Sequence, residues 1–597
     1  MSNIRIPQDY KEDVNYSVHD LSREKRSTIH AGLNIPIYFK KMYPGDKFTL
    51  NLASLIQSNP MLSPLMGRYK LRTNVFFEPL SNLYGWLDNN KQLSTEELLN
   101  RRHHTFNIGD FVRFTSDSND VYYSPASDLS DVLGSVIPAG SSAMPGTARG
   151  GILDYVGVAP GFVCMDDDSG DAYGSELCLD KVLAYLDIIR TYYVNRQEKT
   201  IPFVSYPLSQ SPGQKPFEFS FSHYEHSKLD DLFMWLRNQP DGVTFGRSFG
   251  STVTEGSPEG DFYDYLHKIL YGSFSGLFCA MYEPDYFMNY LSSDVGKVKS
   301  VIRPGDQGIS MHEFYFQNKL QRLIDRYDVS GGIFSNWIRS VWGVRSSKNM
   351  DVPDLIGSLS TFVDTSNITT VSNTVVGEDG SPAGEIYGNV NQFDSKRNNP
   401  GKKFDFYVDA GDDEGYCVVI VSLIPLPDYS ENIEPDLLRT SFADDYKPQL
   451  AQLGFQDVRA GDFSVLPTTD DDGFITFPGE TTVDSSEVSS SDIVAKQIAW
   501  FDLMTDTNRV HGEFSNFGYY DYWVLRRRFR KYDAKEILSG KLSAQSSSVF
   551  DMSRYINPLD WQYPFVGTSL FDPNFFLQFS FDIKAVRPIG KRFMPSM

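Results

Sequence analysis

The chain has 597 residues, and its 77 Asp and Glu residues outnumber its 55 Lys and Arg residues, which gives a formal net charge of −22. This acidic balance argues against a protein that coats nucleic acid or anionic membranes over its whole surface, so any basic site must be local. A hydrophobic fraction of 41% excludes wholesale disorder, and 45 glycines with 32 prolines predict a globule rich in turns.

Cysteine usage and apolar runs indicate a reducing compartment and no membrane helix. The four cysteines are too few to cross-link a chain of this length, and no two of them are spaced as the C-x-x-C pair that zinc sites use. We therefore expect reduced, partly buried thiols. The first ten residues lack the apolar stretch of a signal peptide, which predicts synthesis in a cytoplasm. The longest apolar run, residues 417–426, is shorter than the roughly 20 residues of a membrane helix and is predicted to be a buried strand.

Alternation of apolar and polar residues predicts β-strands that are widely spaced along the chain. The pattern occurs at residues 48–52, 69–77, 217–221, 416–425 and 575–585. Because long stretches of chain separate these strands, they must pair through long connections, as in double-sheet jelly rolls and Greek keys. We expect the last four segments to contribute to the two sheets of one jelly roll.

Helical spacing of apolar residues predicts a few helices between the strands. One helix is predicted over residues 179–193 and another over residues 313–327, where a Gly-Gly pair follows the helix. A short third helix is predicted to begin at Ser94, because Ser94 and Glu97 have the spacing of a capping box. All three are expected to pack on a sheet.

Polar stretches rich in Ser, Thr, Asp and Gly are predicted to form long surface loops. They lie near residues 115–176, 247–260, 340–400 and 466–492. Loops longer than about 15 residues are uncommon in compact domains unless they are functional or disordered, so we expect these to face outward and contact a partner. Residues 31–597 are predicted to be one domain with these insertions, and residues 1–30 an extended N-terminal arm.

Motifs for catalysis and metal binding are weak. Residues 246–250 match G-x-S-x-G, but a β-branched run follows where a nucleophile elbow requires a helix. Residues 470–473 resemble a calcium loop, but Thr468 stands where an EF-hand needs Asp. His103 and His104 have no nearby third ligand and are interpreted as surface residues at the end of a short helix. We therefore predict no catalytic residue, no metal and no cofactor.

One basic cluster stands out near the C-terminus. It consists of Arg526, Arg527, Arg528, Arg530 and Lys531, with Tyr519, Tyr520, Tyr522, Trp523, Phe529 and Tyr532 around it. Arginines interleaved with aromatic residues suit neutralisation of a nucleic-acid backbone and stacking on single-stranded bases. An equally good interpretation is a structural segment whose arginines pair with carboxylates at an interface.

Short blocks along the chain carry a family resemblance. In the N-terminal region they are His19-Asp20-Leu21-Ser22, residues 31–36, Tyr43-Pro44-Gly45-Asp46, residues 63–65 and residues 76–79; later blocks lie at residues 185–196, 285–287, 415–430, 446–454 and 496–508. In this order the series resembles the major capsid protein of microviruses, the small icosahedral single-stranded DNA bacteriophages, and its gut-phage branch (gokushovirus/alpavirus-like) in particular. Ile498 departs from the pattern, since proline is expected there.

The resemblance implies a mainly β protein, an eight-stranded antiparallel viral jelly-roll barrel with long loop insertions and a few short helices. It implies a structural subunit without enzymatic activity that self-assembles into a T=1 icosahedral shell around circular single-stranded DNA. The implied partners are copies of the chain, the genome, other virion proteins such as a pilot or internal protein, and a host cell-surface receptor, without membrane insertion. The implied location is the virion, after assembly in the bacterial host cytoplasm.

The same resemblance suggests roles for particular residues. An assembly motif is expected at His19, Asp20, Leu21, Ser22, Pro44, Gly45 and Asp46, and the N-terminal arm is expected to lie on neighbouring subunits. Interior DNA-binding residues are expected at Arg526, Arg527, Arg528, Arg530, Lys531, Lys591 and Arg592.

Two other classes of function remain open. A carbohydrate-active β-sandwich enzyme or lectin would suit the 14% aromatic residues and the many carboxylates, although such a protein would be expected to carry a signal peptide. A phage tail or receptor-binding protein would favour fibrous repeats, which the sequence lacks.

Overall fold

A computed structural model provides the fold. It describes residues 16–59, 61, 65–87, 101–107, 146–147, 150–162, 176–196, 198–205, 220–246, 257–270, 275–288, 319, 352–368, 390–394, 405–411, 413–448, 455–459, 462–463, 468–469, 475–476, 493–515, 518–529, 553–565 and 573–589. The predicted helices at residue 94 and at residues 313–327 lie outside this set, apart from Lys319, which is helical.

The described strands are, in chain order, β1 Ser17–Asp20, β2 Arg23–Ile29, β3 Leu33–Met42, β4 Lys47–Ser58, β5 Arg68–Pro79, β6 Thr105–Asn107, β7 Gly146–Thr147, β8 Gly161–Phe162, β9 Glu176–Cys178, β10 Thr200–Ser205, β11 Ser220–Glu225, β12 Thr244–Phe245, β13 Phe278–Cys279, β14 Asp354–Ile368, β15 Val390–Asp394, β16 Asp405–Asp409, β17 Gly415–Pro425, β18 Phe455–Arg459, β19 Thr468–Thr469, β20 Ile475–Thr476, β21 Ile493–Ile498 and β22 Phe575–Arg587. The described α-helices of more than one residue are α1 Ile152–Val156, α2 Asp180–Tyr192, α3 His226–Arg237 and α4 Pro258–Leu270.

One antiparallel network connects 13 of the described strands. Its order is β1-β22-β4-β15-β14-β5-β17-β3-β13-β10-β11, with β2 also paired to β22 and β16 to β4. The predicted strands at residues 69–77, 416–425 and 575–585 are β5, β17 and β22 of this network, and the described end of segment 217–221 belongs to β11. The predicted mainly β, antiparallel class is confirmed, whereas the count of eight barrel strands stays a prediction.

The network folds back on itself to form two facing layers. Tyr38 of β3 stacks on Phe581 of β22 with ring centroids 5.0 Å apart, although these two strands are not hydrogen-bonded to each other. In the same way Tyr69 of β5 meets Phe575 of β22 edge to face at 5.0 Å. The apolar core therefore lies between a layer containing β3, β17 and β5 and a layer containing β4 and β22, which is the arrangement of a β-sandwich.

Strand β22 follows its predicted alternation. Its odd-numbered residues from 575 to 585 are buried, whereas Phe576, Asp582 and Lys584 on the other face are exposed. Strand β17 is instead buried at every position, because it lies in the middle of its layer and α2 covers that layer's outer face. A strand covered on both faces is apolar throughout, as the run at residues 417–426 predicted.

Helix α2 confirms the helix predicted over residues 179–193. Its apolar side chains are buried, and Tyr185 donates a hydrogen bond of 2.8 Å to the carbonyl oxygen of Asn34 on β3.

Helix α4 was not predicted, and it begins at Pro258, inside the expected loop at residues 247–260. Within the described part of the chain, no helix has both the length and the apolar character needed to span a bilayer.

The expected loop at residues 340–400 contains two strands, β14 and β15, which is a correction to the sequence interpretation. Strand β14 pairs with β5 over ten residue pairs, from Asp354 opposite Phe77 to Asp364 opposite Arg68. Most of its side chains are partly or fully exposed, and Val363 is buried. Because backbone hydrogen bonds rather than apolar burial hold this strand, its sequence is polar and carries no alternation signal.

Two other expected loops also contain short elements. Strands β7 and β8 and helix α1 lie within residues 115–176, and the two-residue strands β19 and β20 pair within residues 466–492.

The described part of the N-terminal arm pairs with its own chain. The arm was expected to lie on neighbouring subunits, but β1 and β2 both pair with β22 of the same chain.

Candidate assembly and genome-binding surfaces

The first expected assembly block lies where the chain passes from β1 to β2 along β22. Asp20 accepts a hydrogen bond from the Ser22 amide at 2.9 Å, and Ser22 Oγ accepts one from the Ile583 amide at 3.1 Å. The Leu21 amide donates to the Ile583 carbonyl at 2.9 Å, and His19 Nε2 lies 3.0 Å from the carbonyl oxygen of Ile589. The hydrogen bonds from Ser22 also lower the pKa of Asp20. This block fastens the N-terminal strands to the C-terminal strand.

The second expected block is the turn between β3 and β4, which connects the two layers. Asp46 is fully buried, and its Oδ2 accepts a hydrogen bond from the Tyr43 amide at 3.0 Å and lies 3.3 Å from Nε of Arg587. Pro44 is exposed at the turn, and Gly45 adopts a φ of +83°, which an L side chain rarely adopts. The ion pair between Asp46 and Arg587 locks this turn to the end of β22.

Five of the seven expected assembly residues, His19 to Ser22 and Asp46, pair with or contact the last six residues of β22, although more than 500 residues separate them from it in sequence, and Pro44 and Gly45 precede Asp46 in its turn. Three exposed apolar side chains, Tyr16, Val18 and Tyr43, lie in or next to the same blocks. The motif has a role inside the subunit, and it also leaves apolar side chains at the surface where a neighbour could bind.

The structure divides the basic cluster into buried and exposed members. Arg526 is 8% exposed and lies 3.2 Å from Asp521. Arg527 is 2% exposed, donates to the Tyr282 hydroxyl at 3.2 Å, and its guanidinium lies 5.0 Å from the centre of the Tyr282 ring. Arg528 is exposed. Arg530, Lys531, Lys591 and Arg592 lie outside the described residues.

This division corrects the expectation that the whole cluster faces the genome. The charges of Arg526 and Arg527 are used within the subunit. The alternative interpretation, a structural segment whose arginines pair with carboxylates, agrees with the ion pair of Arg526. That carboxylate, Asp521, belongs to the same chain and not to a neighbour across an interface. The aromatic neighbours divide in the same way: Phe529 is buried, whereas Tyr519, Tyr520 and Tyr522 are exposed. The segment has no strand alternation in the structure, so the sequence pattern gave no means to tell the two sets apart.

An exposed apolar surface, which the sequence did not indicate, is formed by two segments of the chain. We call it the Phe442 patch; it consists of Leu437, Leu438, Phe442, Tyr446, Leu503 and Met504. Phe442 is 90% exposed, and Leu437 and Met504 are 74% and 65% exposed. Two contacts join the segments that carry these residues: Arg439 pairs with Asp502, and the rings of Tyr446 and Trp500 lie 5.3 Å apart.

Several hydrogen bonds within the loop hold the backbone that carries Phe442. The Lys447 ammonium donates to the carbonyl oxygens of Phe442, Ala443 and Asp445 at 2.6, 3.4 and 3.3 Å. Asp444 accepts a hydrogen bond from the Ser441 amide at 3.1 Å. The aromatic ring is therefore presented to solvent by an ordered loop, which reduces the entropy that a partner must remove on binding.

The two histidines differ from each other: His103 is exposed, as its interpretation as a surface residue predicted, whereas His104 is not. His104 is fully buried, and its ring stacks on that of Tyr84 with centroids 4.5 Å apart. His103 Nδ1 lies 2.8 Å from Oδ2 of Asp180, the first residue of α2. Both histidines directly precede β6, and the short helix expected before them lies outside the described residues. The fold brings Cys178 and Asp180, which lie 75 and 77 residues later in sequence, close to His103.

The N-terminal part of the chain is similar to a known protein family. Residues 11–105 match the family model described as capsid protein (F protein). The chain resembles microvirus capsid proteins, as its sequence predicted. No curated protein matches the chain. The matched segment contains β1 to β5 and both assembly blocks, and the match supports a structural capsid role.

The Asp46 and Arg587 pair gives a test of the joint between the layers. We expect Arg587→Gln to destabilise the chain by about 3 kcal/mol, because it leaves the Asp46 carboxylate buried without its cation. The double variant Asp46→Asn/Arg587→Gln should lose less than the sum of the single variants. Denaturant unfolding measures both, with the exposed Lys584→Gln as control. Equal stability of Arg587→Gln and the wild type would contradict this role.

A partly buried acid next to the basic cluster, Asp428, gives a pH-dependent test. Burial raises the pKa of Asp428 to about 6 from its ordinary 3.8, so the folded chain binds this proton more tightly than the unfolded chain. Ionising Asp428 therefore lowers the stability of the folded chain. This loss of stability is absent when the pH is below the ordinary pKa of 3.8 and is complete above about pH 6. We expect Asp428→Asn to be more stable than the wild type at neutral pH, by at most about 3 kcal/mol.

The advantage of Asp428→Asn should shrink as the pH falls from about 6 to about 4. Denaturant unfolding across this range measures it, and the exposed Asp231→Asn serves as the control. An advantage that does not change with pH would show that the carboxyl group's titration is not its cause.

Proposed function

We propose that this chain is a major capsid protein that self-assembles into a T=1 icosahedral shell around circular single-stranded DNA. The observation that carries the proposal is the match of residues 11–105 to the phage capsid family, because that segment builds β1 to β5 of the sandwich core. The role is structural, and no catalytic step is assigned to any residue. Expected further partners are a pilot or internal protein and a host receptor, and the expected site of assembly is the host cytoplasm.

The Phe442 patch supports self-association. Burying a Phe, Leu or Met side chain contributes about 1.5–3 kcal/mol, and exposed apolar patches mark binding sites. Large side chains on a pre-ordered loop are typical of residues that dominate the energy of an interface. A second copy of the chain is the partner that a shell supplies at every contact, so we assign the patch to a subunit interface.

Assembly of variants tests this assignment. We expect Phe442→Ala and Met504→Ala each to weaken subunit association by about tenfold or more and to leave folded, unassembled subunits, because each removes about 1.5 kcal/mol or more of buried apolar surface. Electron microscopy and sedimentation of the purified chain measure the yield of shells. Met234→Ala on α3 is the matched control, since Met234 is 64% exposed and Met504 is 65% exposed.

The outcomes separate the patch from the capsid role. If the wild type forms shells and the Phe442→Ala and Met504→Ala variants give the same yield of shells, the patch is not a subunit interface. A wild-type chain that forms no closed isometric shell under any assembly condition would contradict the proposed function itself.

Genome binding is assigned to Arg528, which is exposed, and to Arg530 and Lys531, which follow it in sequence. Tyr519, Tyr520 and Tyr522 are exposed nearby in sequence and supply rings on which bases can stack. A local group of cations is needed because the chain as a whole, at a net charge of −22, repels DNA.

Substitution of these cations should reduce packaged DNA without preventing assembly. We expect the triple variant Arg528→Gln/Arg530→Gln/Lys531→Gln to bind single-stranded DNA with a salt dependence lower by about 0.7 in log–log slope per lost phosphate contact. The control is Lys199→Gln, at an exposed lysine far from the cluster in sequence. Filter binding at several salt concentrations and the nucleic-acid content of shells measure the effect, and an unchanged slope would exclude this surface.

A further inference from the structure

Three residues that can bind a metal lie on one face of a short ladder. Strand β6 pairs with β9 so that Thr105 lies opposite Cys178, and the ladder extends one step further because the Leu179 amide donates to the His104 carbonyl at 2.8 Å. His103 therefore comes opposite Asp180. Alternate residues of paired strands share a face, which places His103, Cys178 and Asp180 together.

The side chains confirm this placement. His103 Nδ1 is 2.8 Å from Asp180 Oδ2, and the imidazole nitrogen, thiol sulfur and carboxylate oxygen of the three residues all lie within 4.8 Å of one another. His103 is half exposed and Cys178 is exposed, whereas Asp180 is fully buried. An ion from solvent can therefore reach the cluster, and a buried carboxylate forms its inner side.

Neighbouring groups hold Asp180 in place. The Tyr84 hydroxyl donates to Asp180 Oδ1 and accepts a hydrogen bond from the His104 amide at 2.6 Å. Such an outer partner orients a ligating carboxylate and leaves its other oxygen for the metal. The nearby Lys41 ammonium is paired with Glu414 at 2.6 Å, so its charge is balanced within the chain.

We propose that His103, Cys178 and Asp180 form a zinc site with three protein ligands and a fourth position for water. Imidazole nitrogen, thiolate sulfur and carboxylate oxygen are ligands that Zn²⁺ accepts together, whereas Mg²⁺ and Ca²⁺ prefer oxygen alone. Binding releases the Cys178 thiol proton to solvent, and His103 binds as a neutral imidazole that keeps one proton on the ring nitrogen facing away from the ion; no electron is transferred. The ion joins the loop before β6, strand β9 and the start of α2.

This inference goes beyond the capsid role and does not depend on it. A bound cation stabilises the Cys178 thiolate. Among the cysteines that the structure describes, Cys279 and Cys417 are buried, so Cys178 is the one whose thiol solvent can reach.

Metal content of the full chain tests the site. After incubation with ZnCl₂ and gel filtration, we expect one zinc ion per chain by elemental analysis, and a rise in unfolding temperature that a chelator reverses. His103→Gln and Cys178→Ala should each weaken binding by about tenfold or more. His511→Gln changes an exposed histidine outside the cluster and should retain the metal.

Cobalt gives a second readout that does not depend on stability. Co²⁺ in the same site should show thiolate-to-metal charge transfer and the visible bands of a tetrahedral ion, and Cys178→Ala should lose the charge-transfer band. Wild-type chain without bound zinc, or equal zinc in the wild type and in folded His103→Gln and Cys178→Ala variants, would overturn the proposal and leave His103 as the ionic partner of Asp180. Because the metal is measured on unassembled chain as well as on shells, that result would not bear on the capsid role.

Discussion

The pairing of β22 with strands from the beginning of the chain is the constraint on which the rest of the fold depends. Strand β22 pairs with β1, β2 and β4, and its buried face packs against β3 and β5 across the core. These contacts close a loop of more than 500 residues. The entropy cost of closing a loop grows only slowly with its length, so further residues between the strands add little to this cost. This is why long insertions can lie between the strands while the sandwich stays intact.

The Asp46 and Arg587 ion pair makes this closure specific. A buried pair of charges contributes little net stability compared with apolar residues, but a wrong register would leave either charge buried alone at a large cost. The turn after β3 must therefore meet the end of β22 and no other strand. Such a joint keeps the surface beside it in a fixed shape.

Much of the core was predictable because its residues obey simple periods. The alternation of β22, the continuous apolar run of β17 and the helical spacing of α2 each follow from burial on one face, on both faces or along one stripe. Strand β14 was not predictable, since a half-exposed strand held by backbone hydrogen bonds leaves no apolar pattern. Helix α4 was missed because the polar residues before it dominated the expected loop.

The candidate sites were less predictable than the core, because the direction of a side chain depends on residues far away in sequence. Arg527 points inward because Tyr282, 245 residues earlier, offers it a hydroxyl group and an aromatic face, whereas the next residue, Arg528, is exposed. His103 likewise meets Asp180 only through the pairing of β6 with β9. Composition and spacing identify which residues are chemically able to bind a genome, a neighbour or an ion. The long-range pairing of strands then decides which of those residues solvent and partners can reach, so a basic run in an acidic chain is evidence for a nucleic-acid surface only at the positions that the fold leaves exposed.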